Sequence, residues 1–257
     1  MKIISWNVNG VRALHKKGQW DWLLRESPDI FCLQETKASP DQLPEEVRNP
    51  AGYHSFFDFP KEKKGYSGVA IYSKVKPNKV EYEMGVEILD KEGRLIAAYF
   101  DDFVLVNVYF PNGGGGPARL KYKLEFYKEF LKYIDRLQKG GHHVVFCGDV
   151  NTAHKEMDLA RPKQNEENTG FLPVERAWID KVVEHGYMDV FRYFYPDKKD
   201  VYTYWDMKTM ARERNVGWRI DYFFVSPEII SRVQSMDILD SVYGSDHCPV
   251  VLYLKEK

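Results

Sequence analysis

The chain has 257 residues, of which 44% are hydrophobic and 29% charged, and its formal net charge is −1. That composition excludes a disordered chain and supplies enough apolar surface for a large core without staples. Near neutrality excludes wholesale attraction to polyanions, so contact with nucleic acid would need local basic patches. No apolar run approaches the length of a membrane span, and the short apolar start does not read as a signal peptide. Aromatic residues reach 15%, with 17 Tyr and 6 Trp, leaving rings over for a binding surface after the core is filled. Cys32, Cys147 and Cys248 are odd in number and sit in or beside apolar runs. They read as buried free thiols, and a cytoplasmic location is expected.

Residues 2–6 read as a strand that ends in the turn Asn7-Val8-Asn9-Gly10. A helix over 20–24 closes at Ser27-Pro28, and 29–34 is a second buried strand followed at once by Glu35-Thr36-Lys37. A short helix is expected over 41–47, strands over 53–59 and 67–72, and a hairpin from 95–100 and 103–109; 80–86 has no clear pattern. Residues 111–117 form a glycine-rich loop without the lysine and hydroxyl residue of a phosphate cradle. Leu120, Leu124, Tyr127, Leu131 and Ile134 then recur at helical spacing up to Gly140-Gly141. Residues 158–169 read as a polar surface loop, 173–184 as a helix, 202–205 as a short strand or aromatic corner, 219–225 as a strong strand, and 250–254 as the last strand. The fold class expected is α/β: two mixed sheets packed face to face with helices outside.

The run Val144 to Phe146 leads through Cys147-Gly148 into Asp149-Val150-Asn151, a strand running out into acid and amide side chains. In extended backbone Asp149 and Asn151 would share a side; an Asx-rich turn is the plainer alternative. Similar polar groups end the other strands: Asn7 and Asn9, Glu35, Tyr109 and Asn112, Asp246 and His247. Asp221 is an acid inside an apolar strand and needs a partner, for which His247 is the natural choice. Glu35, Asp149 and Asp246 with the amides suit a hard cation, Mg²⁺ or Mn²⁺. A cation, an Asp–His pair and neutral donors together suit attack on a phosphodiester. Candidate basic patches are Lys61, Lys63 and Lys64; Lys121 and Lys123; and Arg212, Arg214 and Arg219, each of which is equally readable as a solvated face.

Six segments carry a family resemblance: Ser5-Trp6-Asn7-Val8-Asn9-Gly10, Leu33-Gln34-Glu35-Thr36-Lys37, Val108-Tyr109-Phe110-Pro111-Asn112, Cys147-Gly148-Asp149-Val150-Asn151, Asn215 to Tyr222, and Ser245-Asp246-His247-Cys248-Pro249. In this order they resemble the exonuclease III family of apurinic/apyrimidinic endonucleases, within the endonuclease/exonuclease/phosphatase superfamily, over nearly the whole chain. The resemblance implies a four-layer sandwich with residues 1–257 as a single domain. It implies Mg²⁺-dependent cleavage of double-stranded DNA 5′ to abasic sites, with 3′→5′ exonuclease and 3′-end cleaning as companion activities. A monomer with no membrane contact is expected. By the same resemblance Glu35, Asn7, Asp246, Asp149, Asn151 and His247 would surround the metal. Asp149, Asn151, Tyr109, His247 and Asp221 would act on the phosphate. Lys37, Asn112, Arg119, Asn165, Asn168, Tyr204 and Trp218 would hold DNA, with Lys121 and Lys123 as further phosphate grips. Two departures stand out: Asn9 replaces an acid common in relatives, and Gly113–Gly116 lacks a residue that some relatives insert into the duplex. The competing readings are a superfamily cousin acting on small phosphate esters and a non-catalytic binding module.

Overall fold

The computed structural model describes residues 1–255. Its strands are β1 (Lys2–Asn7), β2 (Ile30–Gln34), β3 (His54–Asp58), β4 (Val69–Ser73), β5 (Lys79–Glu81), β6 (Leu95–Tyr99), β7 (Val104–Val108), β8 (Val144–Asp149), β9 (Met188–Asp189), β10 (Asp221–Val225), β11 (Val233–Ile238) and β12 (Val250–Leu254). They form two six-stranded sheets, ordered β11-β12-β1-β2-β4-β3 and β5-β6-β7-β8-β10-β9. Ile3, Cys32, Ile71, Leu105, Val145, Phe223 and Leu252 fill the space between the sheets. Helices cover both outer faces, so the central strands are buried on both sides and read as continuous apolar runs rather than alternating ones.

Each sheet contains a single parallel pair among otherwise antiparallel neighbours, and these pairs place the site. In the first sheet β1 and β2 run parallel, joined through helices Val11–Lys16 and Gln19–Arg25. In the second, β7 and β8 run parallel, joined through the long helix Pro117–Lys139. Helical crossovers bring the carboxyl ends of all four strands to one rim of the sandwich, where α/β folds build their sites. The antiparallel strands β10 and β12 begin at that same rim: Asp221 lies opposite Asp149, and Val250 opposite Ser5. Gly148 is required there, because its φ is +136° and a Cβ would lie 1.9 Å from the Val108 carbonyl oxygen.

The expected fold class is the observed one, with differences in the peripheral elements. Of the unclear 80–86 stretch only Val80 and Glu81 lie in a strand, β5. β9 is two residues long, and β11 has a register shift at Val233/Ser235; neither carries a strong strand pattern. Residues 158–169 are not a simple surface loop: a 3₁₀ turn (Glu156–Asp158) and a short helix (Pro162–Asn165) occupy the region, and Asp158 is fully buried. Residues 202–205 form no strand; Tyr204 makes only isolated bridges to Trp218 and His247. The three cysteines are buried and free.

Candidate active site

Each sheet contributes half of the cluster. From the first come Asn7, Glu35, Asp246 and His247; from the second come Tyr109, Asp149, Asn151 and Asp221. The Asn7 amide joins the halves, donating from Nδ2 to Glu35 Oε2 (3.0 Å) and to Asp149 Oδ2 (2.9 Å). Asn7 therefore meets the carboxylates through its N–H groups, while its Oδ1 accepts from the Asn9 backbone (3.0 Å). β8 ends at Asp149, and Asn151 then turns left-handed at φ +56°. The two side chains meet through this turn rather than through strand alternation: Asn151 Nδ2 donates to Asp149 Oδ2 (3.1 Å), and Asn151 N donates to Asp149 Oδ1 (2.8 Å). Asn112 Nδ2 donates to Asn151 Oδ1 (3.0 Å). Asp221 Oδ2 pairs with His247 Nδ1 at 2.8 Å, and His247 Nε2 lies 3.9 Å from Asp149 Oδ2. Asp246 Oδ1 accepts from Asn9 Nδ2 and Ser245 Oγ, both at 3.0 Å. Lys37 Nζ bridges Glu35 Oε1 (2.8 Å) and Asn9 Oδ1 (2.5 Å).

The electrostatics follow from this packing. Burial raises the Asp149 carboxyl to about 7, and the adjacent His247 only partly opposes it. Burial works against a charged His247, but Asp221 and Asp149 outweigh it and raise the imidazole to about 10. At neutral pH the ring is a cation between two acids, and Asp149 is poised to gain or lose a proton. Burial, reinforced by Glu35, pushes the Tyr109 phenol well above its ordinary range, so the hydroxyl keeps its proton and can donate.

Comparison with known proteins places the chain. The pattern of the Endonuclease/Exonuclease/phosphatase family matches residues 4–247. The chain belongs to that family. It is 44% identical to "DNA repair nuclease APEX1" of Danio rerio over 99% of this chain and 82% of that protein. It is 43% identical to the exodeoxyribonuclease of Bacillus subtilis over 99% of both chains. Among solved structures, an AP endonuclease from Archaeoglobus fulgidus superposes with a TM-score of 0.89 at 31% identity, covering 100% of both chains.

This family is metal-dependent, and the cluster fits a cation. Asp149 and Asp221 bring carboxylate oxygens within 4.8 Å of one another, and the Asn7 amide ties Asp149 to Glu35. Asp221 Oδ1 is buried without a hydrogen-bond partner, an orphaned acceptor of the kind a cation satisfies. The Lys37 ammonium, held by Glu35 and Asn9, shows that this oxygen-rich hollow already supports positive charge.

Around the cluster the predicted DNA-facing residues divide. Tyr204 and Trp218, both partly exposed, pack over Leu159, Phe171 and Ile220, and the Tyr204 ring lies 4.8 Å from that of His247. Asn168 donates to Asn165 (3.0 Å) in the turn leading to Gly170, where a Cβ would lie 3.3 Å from Trp218. Arg119 is partly exposed, but its guanidinium is taken by Glu92 through two 3.0 Å bonds, which offsets its charge. Two predictions are corrected. Lys123 grips no phosphate, because it is fully buried against Glu175 at 2.6 Å. Arg219 is no surface patch, being fully buried between Asp158 and Asp189, both at 2.7 Å. Lys121 is exposed, as expected. Residues missed from sequence include Arg94 and Tyr66. Arg94 donates to the Tyr109 carbonyl (2.9 Å), lies over its ring at 4.7 Å, and meets the Tyr66 hydroxyl (3.0 Å). A single Arg opening a strand carries no pattern that would have flagged it.

Proposed function

We infer that this chain is a DNA-repair phosphodiesterase that hydrolyses the backbone of double-stranded DNA 5′ to abasic sites and leaves a 3′-hydroxyl. The same centre would serve 3′→5′ exonuclease and 3′-end-cleaning reactions, which break the same phosphoester bond. The observation that carries this reading is the Asp221–His247–Asp149 array beside Asn7, Asn151 and Glu35, at the rim of a fold whose relatives are named as DNA-repair nucleases and exodeoxyribonucleases.

The chemistry assigned to each residue follows from its environment. Asp149 either takes the proton of the attacking water or protonates the departing 3′-oxygen, which lies on the opposite side of the phosphorus, as the P–O bond breaks. The His247 cation, oriented by Asp221, and the Tyr109 hydroxyl stabilise charge on the non-bridging oxygens. Asn151 holds the water or the phosphate beside Asp149. Glu35 and Asp246 would hold Mg²⁺, or Mn²⁺ in its place, with the Asn7 amide orienting the Glu35 carboxylate. When bound, that ion supplies Lewis-acid stabilisation of the developing phosphate charge. Tyr204 and Trp218 form an aromatic wall for an extruded sugar, whose flipping costs least where no base is stacked. Lys37, Asn112, Arg119, Asn165 and Asn168 line the approach and position the backbone without reading sequence.

The test is nicking of a duplex carrying one abasic site, with Mg²⁺, with chelator, and with Asp149→Asn. Cleavage 5′ to the lesion by the wild type alone is expected. Release of phosphate from small esters with every duplex left intact would overturn the reading in favour of a small-ester phosphatase. Tight duplex binding without cleavage would reduce the chain to a binding module.

A further inference from the structure

Asn151 is a non-glycine residue in left-handed backbone, a conformation that costs energy and persists where its surroundings over-determine it. Three consecutive carbonyls at this turn are each held by a side chain from a neighbouring element. Tyr127 OH donates to Val150 O (3.1 Å), Lys123 Nζ to Asn151 O (2.8 Å), and Tyr222 OH to Thr152 O (2.8 Å). Lys123 and Tyr127 come from the long helix and Tyr222 from β10.

The Lys123 ammonium has three N–H groups, and three acceptors face it: Asn151 O, Thr152 Oγ1 (3.0 Å) and Glu175 Oε1 (2.6 Å). Glu175 is equally complete. Its carboxylate also accepts from Thr169 Oγ1 (2.7 Å), Gly170 N (2.6 Å) and Leu172 N (3.0 Å). Both residues are fully buried. A buried ion pair can often be exchanged for neutral groups with little loss of stability, so stability alone does not account for this one. The Asn151 carbonyl also accepts from its neighbour Thr152 Oγ1 (2.8 Å), so Lys123 is the donor that ties this carbonyl to another element, and neutral packing cannot replace that tie.

We propose that Lys123 and Glu175 form a positioning pair. Glu175 fixes the ammonium, and the ammonium holds the Asn151 peptide so that its side chain meets Asp149 and Asn112. Glu175 also grips the backbone at Gly170 and Leu172, and a Cβ on Gly170 would lie 3.4 Å from Asn151 O and 3.3 Å from Trp218. One pair thus sets both the reactive amide and the turn behind the aromatic wall. The proposal rests on Asn151 belonging to the reactive set.

Lys123→Met and the double variant Lys123→Met/Glu175→Gln separate positioning from stability. The single variant strands a buried carboxylate and is expected to lose thermal stability. In the double variant no charge is stranded, and most of that stability is expected to return. Neither is expected to recover kcat on the abasic duplex, which should fall about 10- to 100-fold with KM changed little. Backbone amide exchange at Val150 and Asn151 should quicken in both. Recovery of kcat together with stability in the double variant would overturn the proposal, as would unchanged exchange at this turn. The exchange measurement does not depend on the substrate. If the wild type left abasic DNA intact, the functional reading would fail while the exchange data still decided whether the pair holds the turn.

Discussion

Replacing Asp158 by Asn perturbs a buried anchor that pairs with Arg219, two residues before Asp221. Asp158 Oδ1 accepts from Arg219 Nε (2.7 Å) and from Arg192, and Oδ2 accepts from Lys155 N (2.9 Å). Burial works to raise its carboxyl, but Arg219 and Arg192 overcome this and hold it at about 2, against an ordinary 3.8. That difference corresponds to about 2–3 kcal/mol of stability. The sign is that of a depressed acid: the contribution is present above about pH 4 and is lost as pH falls through 2. Asparagine leaves two guanidinium groups short of a counter-charge, although Asp189 still holds Arg219. We therefore expect a loss of about 3 kcal/mol at pH 7, near the lower end for breaking a buried pair, and a melting temperature lower by about 6–12 °C. Urea unfolding of both proteins from pH 6 to pH 2 is the assay, and the gap should narrow by about 2 kcal/mol across that range. A gap that stays constant with pH, or one under about 1 kcal/mol at pH 7, would refute the argument that Asp158 is ionised and paired.

Asp58 should behave in the opposite way. Burial raises its carboxyl to about 7, so the wild type loses stability as pH rises from about 4 to about 7, and Asp58→Asn should flatten melting temperature against pH between about 4 and 8. Parallel curves for the two proteins would contradict this. Asp221→Asn removes the strongest support for the His247 cation and should lower kcat on abasic DNA by about 10²–10³-fold while the protein still melts cooperatively. A variant within threefold of wild type would remove Asp221 from the reactive set. Gly148→Ala forces a side chain against Val108 O, and circular dichroism should show marked destabilisation together with lost nicking. Wild-type stability would show that the strand end can shift without cost.

The layered architecture was legible because β2, β4 and β8 are apolar runs that end in polar groups and β7 is apolar but for the buried Asn107, a pattern fixed by burial on both faces. The acids and amides at those ends stood out for the same reason. What misled was long-range charge pairing. Lys123 lies three residues after Leu120 and four before Tyr127, on the apolar face of its helix, a signal in the spacing that reading it as one of a surface Lys pair overlooked. Its partner is 52 residues away, and that of Arg219 is 61 away, so no local pattern announces either bond. The left-handed turns at Glu35 and Asn151 were also hidden, since neither residue type demands positive φ.

β1 carries the chain from Met1 toward the cleft, and β12 carries it back, with the Met1 ammonium donating to Leu254 O at 2.8 Å. Both described ends of the polypeptide therefore sit on the far rim, roughly 20 Å from the reactive groups by strand length. A label placed beside Met1 or Leu254 would sit on the rim opposite the reactive groups. Single-molecule experiments on labelled protein can thus be designed without rebuilding the DNA-facing surface.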